Sequence, residues 1–214
     1  MKIRFAIIPF LLIILTVPTY ANFIYSRTYY GNEAKITNQY DTGSYGYVSC
    51  MPTAIKMLLD YQGVKSESVS VMFYKMGGNS YGVNVLNGIE YVNSLPTSFA
   101  LTQFIEYKNT FTSYIDMNIP YLLIINPLDI NTQGDDKIPS LLKPIGKDYR
   151  TYENSIHTIA VIGYVKIDDK LWLEVLDPLS RQVLYYNADN VIDSLEWNWL
   201  ITVQRVEDGA NEKE

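Results

Sequence analysis

Tyr121-Leu122-Leu123-Ile124-Ile125 is the most restrictive stretch of this chain. Pro120 and Pro127 bound it, and it is too short for a helix and apolar at every position, so it reads as a buried strand. Three more strand-like runs follow, His157 to Val165, Leu171 to Leu176 and Arg181 to Tyr186, and a last one spans Trp197 to Val206. The residues before this block carry helical patterning instead. Ala54, Ile55, Leu58 and Leu59 recur at helical spacing and Gly63 supplies a stop, while further helices are expected at Val69 to Lys75, Val83 to Val92 and Phe111 to Met117. Ile105 and Tyr107 suggest a short strand, and residues 22–49 read as a polar leading segment and loop. Asp129 to Asn154 reads as a polar loop, and Gly77-Gly78-Asn79-Ser80 as a turn between helices. Helices first and an antiparallel sheet later predict an α+β fold, not a doubly wound parallel sheet.

The N-terminus has the marks of an export signal. Lys2 and Arg4 precede an apolar run from Phe5 to Val17, which ends at Thr19-Tyr20-Ala21 with small residues where a signal peptidase reads. The run falls short of the roughly 20 residues a membrane-spanning helix takes. The expected organisation is a signal over residues 1–21, one domain over 22–206, and an acidic disordered tail over 207–214. The mature protein is then secreted or periplasmic, with no stable membrane span once the signal is removed. A net charge of -6 argues against a nucleic-acid partner, which selects a basic face.

An exported chain with 1 cysteine cannot close a disulfide within itself. An inert, buried thiol is the plain alternative, but the surroundings of Cys50 favour chemistry. Cys50 stands at or just before the start of the 54–63 helix, where Pro52 fits the first turn. Helix N-termini favour a thiolate, and a neighbouring imidazolium favours it further. The sole histidine, His157, opens a strand beside a long loop, a place from which side chains commonly reach a cleft. A base also needs an orienting partner. Asp177 ends the next strand, in an Asp-Pro turn, with Asn187 as a second candidate. A tight turn at Asp168-Asp169 leaves Asp177 about three residues out of register with His157, a gap that a bulge or a wider turn must close. One cysteine and one histidine do not make a zinc sphere without two carboxylates, and the Gly77 turn lacks a phosphate-loop ending, so no metal or other cofactor is expected.

Cys50-Met51-Pro52-Thr53-Ala54, running on to Leu59-Asp60-Tyr61, resembles the nucleophile helix of the bacteriocin-leader (double-glycine) peptidases and their secreted relatives. His157 to Tyr164 with Val175-Leu176-Asp177-Pro178 is similar to their histidine and aspartate block, and Tyr121 to Ile125 to the strand before it. The resemblance covers roughly residues 36–190. It implies a papain-like fold, with the nucleophile helix packed on an antiparallel sheet and Cys50, His157 and Asp177 as a triad acting on a peptide or protein substrate. Two positions depart from the pattern. Met51 stands where the family has glycine, and Ser44 where it carries the glutamine that donates to the oxyanion. Gln39 or Asn38 further upstream takes that part only if the loop folds back, and Gln39 is the candidate. The implied function is hydrolysis of peptide or amide bonds. The alternative is a catalytically silent papain-like module that binds peptide or cell-surface polymer, and acyl transfer to an amine uses the same residues. No transporter or ATP-binding segment is attached, so a leader-processing exporter is not expected.

The export signal yields a direct prediction. Mass spectrometry of the mature protein will show Asn22 as its first residue, and soluble cytoplasmic protein retaining Met1 would refute the signal.

Overall fold

The structure is a computed structural model and describes residues 23–126 and 156–206. The signal segment 1–21, the whole of the polar loop expected over 129–154, and the tail 207–214 lie outside the described residues.

Among the described residues, seven strands form one sheet in the order β2-β7-β3-β4-β5-β6, and β1 pairs with β4 as well. The strands are β1 (Phe23–Arg27), β2 (Ser98–Phe104), β3 (Tyr121–Ile125), β4 (His157–Ile167), β5 (Lys170–Leu176), β6 (Leu184–Asn187) and β7 (Trp199–Arg205). Every pairing is antiparallel. The long β4 is shared along one edge, with its first half on β3 and its second half on β1.

Helices cover both faces. Helices α1 (Cys50–Tyr61), α2 (Val69–Lys75) and α3 (Val85–Asn93) share a core with Leu122, Ile124, Ala160 and Ile162. Helices α4 (Asn109–Asp116) and α5 (Ala188–Asp193) pack with Leu123, Ile159, Val161 and Val175 on the opposite face. This two-sided cover is why β3 is apolar at every position: all five of its residues are buried, and alternate ones enter different cores.

Helix α1 is the central element. Nine of its residues are buried, on nearly every side of its axis, the pattern of a helix enclosed by neighbours. It ends where Gly63 turns to φ 72, with Gly63 N–H bonding Asp60 O and Val64 N–H bonding Leu59 O at 2.8 Å. That pair of bonds closes the helix end and needs a residue that tolerates positive φ. The Gln62 side chain then donates to Val203 O at 2.6 Å, tying the helix end to β7.

Two expectations are corrected. Residues 22–49 are not all loop, since Phe23–Arg27 forms β1. The short strand expected at Ile105 and Tyr107 lies earlier, at Ser98–Phe104, and Tyr107 instead accepts the Thr110 amide in the turn that opens α4. Both strands expose much of their surface, so little apolar alternation marks them, and long-range pairing with β4 and β7 decides their place. The short α5 was not foreseen; Asn187 caps it by accepting the Asp189 amide at 2.9 Å.

The register between β4 and β5 controls which side chains share a face. Ile167 pairs with Lys170 across the turn at Asp168 and Asp169, and Asp168 adopts φ 53. The pairing shifts between Val161 and Gly163, which leaves Ile162 as an inserted residue. Without that insertion His157 and Asp177 stand three positions apart in register, an odd offset that points them to opposite faces. With it the offset falls to two, and they share a face along a diagonal.

Gly163, just past the bulge, faces Glu174 and β1. A Cβ there would lie 2.5 Å from Glu174 Oε2 and 2.8 Å from Ser26 O. The Ser26 oxygen is backbone, so β1 itself must move to admit a methyl group. Gly163→Ala is expected to destabilise the fold by about 1–3 kcal/mol in chemical denaturation.

Candidate active site

Cys50 is the first residue of α1 and is half-buried. The first helical hydrogen bond there runs from Thr53 N–H to Ser49 O at 3.0 Å. Pro52 carries no amide hydrogen, so helix geometry leaves the Cys50 and Met51 amides without an intrahelical carbonyl. The thiol therefore stands at the positive end of a 12-residue helix. Thr158 Oγ1 lies 3.9 Å from the sulfur, and His157 is near enough to lower the thiol's pKa.

His157 begins β4 and is 3% exposed. Its Nε2 donates to Asp177 Oδ1 at 2.8 Å, which leaves Nδ1 as the ring nitrogen for the thiol. Asp177 is fully buried and its carboxylate is well supplied with donors. Besides His157, Oδ1 accepts the Leu179 amide at 2.8 Å, and Oδ2 accepts the Tyr186 hydroxyl at 2.5 Å.

The three titrations follow from these contacts. Burial pushes the Cys50 thiol up, but the hydrogen bond and charge of His157, with help from Thr158, outweigh it and leave the thiol below its ordinary value. Burial pushes the imidazole down, yet Asp177 and Cys50 reverse this and raise His157 to about 10. Burial also pushes the Asp177 carboxyl up, and the charge and hydrogen bond of His157, the Tyr186 hydroxyl and the Leu179 amide bring it below its usual range. The combination favours a thiolate–imidazolium pair across neutral pH.

The structure brings Cys50, His157 and Asp177 together and separates them from Asn187, which caps α5. Gln39 and Asn38 stand in different surroundings. Asn38 is occupied in structure: its Oδ1 accepts the Tyr40 amide and its Nδ2 donates to Ser180 O. Gln39 is 3% exposed, lines the same cleft as Cys50 and His157, and has a buried Oε1 with no hydrogen-bond partner. Two short 3₁₀ turns, Gln39–Thr42 and Gly46–Val48, fold the intervening loop back on itself. Their packing demands glycine at 46, where a Cβ would lie 2.6 Å from Gln39 O. The Gln39 amide also donates to Pro178 O at 2.7 Å, so the turn that carries Asp177 fixes the backbone of Gln39.

The other departure has a packing explanation. Met51 is buried against α3, where a Cβ on Gly88 would lie 3.2 Å from Met51 Cγ and Sδ. A small residue on α3 makes room for a large one on α1. Two contributors escaped sequence reasoning, Thr158 and Tyr186. Thr158 neighbours His157 but points to the α1 side, a fact that strand alternation carries; no sequence signal marks Tyr186. Among the described residues no cluster of His, Cys, Asp and Glu could hold a metal ion, and no helix is long and apolar enough to cross a membrane.

A buried helix that opens on a cysteine, packed on an antiparallel sheet that carries the histidine, is the arrangement expected from the resemblance to the double-glycine peptidases. The comparisons with known proteins agree. The model of the Peptidase_C39 like family matches residues 32–206, and the chain belongs to this family, a family of cysteine peptidases. The fold is similar to that of the peptidase domain of Streptococcus ComA, a bi-functional ABC transporter involved in a quorum-sensing pathway. That match has a TM-score of 0.51 and 15% identity, over 80% of this chain and 98% of that one. It is similar also to a Bacillus anthracis protein described as a C39-like peptidase, with a TM-score of 0.56 and 16% identity over 80% and 94% of the two chains. No curated protein matches the chain at a significant level.

Tyr186 offers a test of the site's electrostatics. Tyr186→Phe removes the donor on Asp177 Oδ2 inside a buried site and is expected to cost about 1–3 kcal/mol of stability. It also makes Asp177 easier to protonate. The stability difference between wild type and Tyr186→Phe is therefore expected to be present at neutral pH and to shrink as the pH falls through the Asp177 titration.

Proposed function

We propose that this chain is an exported hydrolase of peptide or amide bonds that works through Cys50, His157 and Asp177. The observation that carries this is a helix-start thiol beside a buried imidazole that is itself hydrogen-bonded to a buried carboxylate. The Cys50 thiolate attacks the scissile carbonyl carbon, forming a C–S bond and placing negative charge on the carbonyl oxygen. The Cys50 amide, with the Gln39 side chain as second donor, stabilises that oxygen. His157 then gives its proton to the leaving nitrogen as the C–N bond breaks. In the second half His157 takes a proton from water, the resulting hydroxide displaces the sulfur, and the acid product leaves. Asp177 holds the imidazole by Nε2 and stabilises its cation throughout.

The silent-module alternative drew on Met51 and on the displaced glutamine. Met51 fills a notch opposite Gly88, and Gln39 stands in the cleft, so neither argues against turnover. Export rests on the N-terminal signal pattern and places the enzyme outside the cytoplasm, with peptide as its substrate and no nucleic-acid partner.

Alkylation of Cys50 by iodoacetamide tests the pairing. At mildly acidic pH the wild-type thiol reacts fast, because its value lies below that of an ordinary thiol. His157→Ala removes the imidazolium, and the rate at that pH is expected to fall by at least about tenfold. Equal rates in the two proteins would show that His157 does not activate Cys50. In turnover, Cys50→Ala abolishes hydrolysis and Asp177→Asn retains a small fraction, since the base survives but is poorly oriented. The rate rises as the thiol ionises below the usual range, and falls as His157 loses its proton near pH 10.

A further inference from the structure

The cleft at Cys50 holds about 920 Å³, and apart from the site itself its described lining is apolar, aromatic or uncharged polar. Among the described residues no Asp, Glu, Lys or Arg lines it, although the chain carries a net charge of -6. Aromatic and aliphatic side chains do. The helical layer contributes Tyr40, Tyr47, Tyr81 and Leu86, and the segments leading into β7 and β4 contribute Trp197 and Ile156.

Several of these groups stand in water. Tyr81 is 96% exposed, Leu86 63%, Tyr47 48% and Trp197 40%. Exposed apolar groups gathered in one cleft mark a binding surface, whereas scattered ones need no explanation. They are also held ready. Tyr81 sits in a turn closed by two reciprocal bonds, Asn79 N–H to Gly82 O and Gly82 N–H to Asn79 O, both 3.0 Å. Asn79 Oδ1 also accepts the Tyr81 amide at 2.8 Å, and Gly82 takes φ 109 to complete the turn. Across the cleft, Trp197 stacks on Trp199 with ring centroids 5.3 Å apart and planes 16° apart. That segment runs beside the end of β3 that pairs with His157, because Glu196 N–H bonds Ile124 O at 3.0 Å and Ile125 pairs with His157. The backbones that carry Tyr81 and Trp197 are therefore fixed beside the cleft that holds the thiol, so a ligand that covers these rings orders side chains but little main chain.

We infer that this cleft selects peptides with a large, uncharged side chain, aromatic or branched aliphatic, beside the scissile bond. The inference rests on the hydrolase reading above and adds the substrate class to it. It also sets this chain apart from a double-glycine substrate, whose residues have no side chain to place against Tyr81 or Trp197. A charged side chain would lose its hydration here and meet no opposite charge among the described residues.

The test uses purified full-chain protein and a peptide series of fixed length, varied only beside the scissile bond, with Tyr, Leu, Gly, Glu or Lys. Wild type is expected to cleave the Tyr and Leu peptides with kcat/KM roughly tenfold or more above the Gly, Glu and Lys peptides. Tyr81→Ala and Trp197→Ala are expected to shrink the ratio of Tyr to Gly peptide, mainly through KM. A parallel arm titrates the uncleaved peptides into Cys50→Ala protein and follows Trp fluorescence, with tighter binding of the Tyr peptide expected. Equal kcat/KM across the series, or a preference for Gly or a charged residue, overturns the inference and leaves the hydrolase reading intact. No turnover of any peptide by wild type, with selective binding of the Tyr peptide by Cys50→Ala, sinks the hydrolase reading and upholds the selectivity of the cleft.

Discussion

Asp177 is a carboxylate with no solvent of its own, and it survives as an anion because three donors surround it. His157 Nε2, the Leu179 amide and the Tyr186 hydroxyl take the place of water around its two oxygens. Removing one partner of a buried ion pair leaves a charge that the interior cannot solvate, so the group is held as a unit. The same turn reaches further. Pro178 O receives the Gln39 amide, and Ser180 O receives the Asn38 side chain. The segment that fixes the carboxylate thereby fixes the loop leading to Cys50, and the sheet and the helical layer are tied together at the cleft.

The position of that carboxylate depends on one inserted residue. Side chains in a strand alternate faces, so an odd offset across an antiparallel pair can never be repaired by a long side chain. Ile162 turns the odd offset into an even one. The irregularity sits beside the site and has no counterpart elsewhere in the β4–β5 ladder, as expected of a bulge that aims a side chain. Its cost is contained, because Gly163 follows it and lets Glu174 and β1 close in.

Elements with strong local patterns were readable from the chain. Val69–Lys75 and Tyr121–Ile125 were read with the bounds the structure gives them, and Cys50 was read at a helix start. Elements that rest on partners were not. The edge strand Ser98–Phe104 exposes Leu101 and Phe104, and β1 exposes Phe23, Ile24 and Tyr25, so neither shows the alternation of a half-buried strand. Helix α5 is too short to show a helical period, and its end is set by the Asn187 cap. The same division holds at the site. Cys50 and His157 stood out as singular residues of reactive kinds, and Asp177 by its place in the next strand. Tyr186 and Thr158 carry no such mark, because a tyrosine or threonine in a strand is ordinary until its neighbour is known.

The sequence by itself singled out the candidate thiol and imidazole, and a helix start to hold the first. It also determined the α+β order of elements, because helical and strand periods are local properties. Only the tertiary structure decided the geometry. A bulge at Ile162, the fold-back of the 39–49 loop onto Pro178, and the pairing of Met51 with Gly88 each join residues far apart in the chain. Such contacts depend on register and on close packing, which no local pattern encodes. For that reason Gln39 could be entered as a candidate from sequence, but only the folded loop placed it in the cleft.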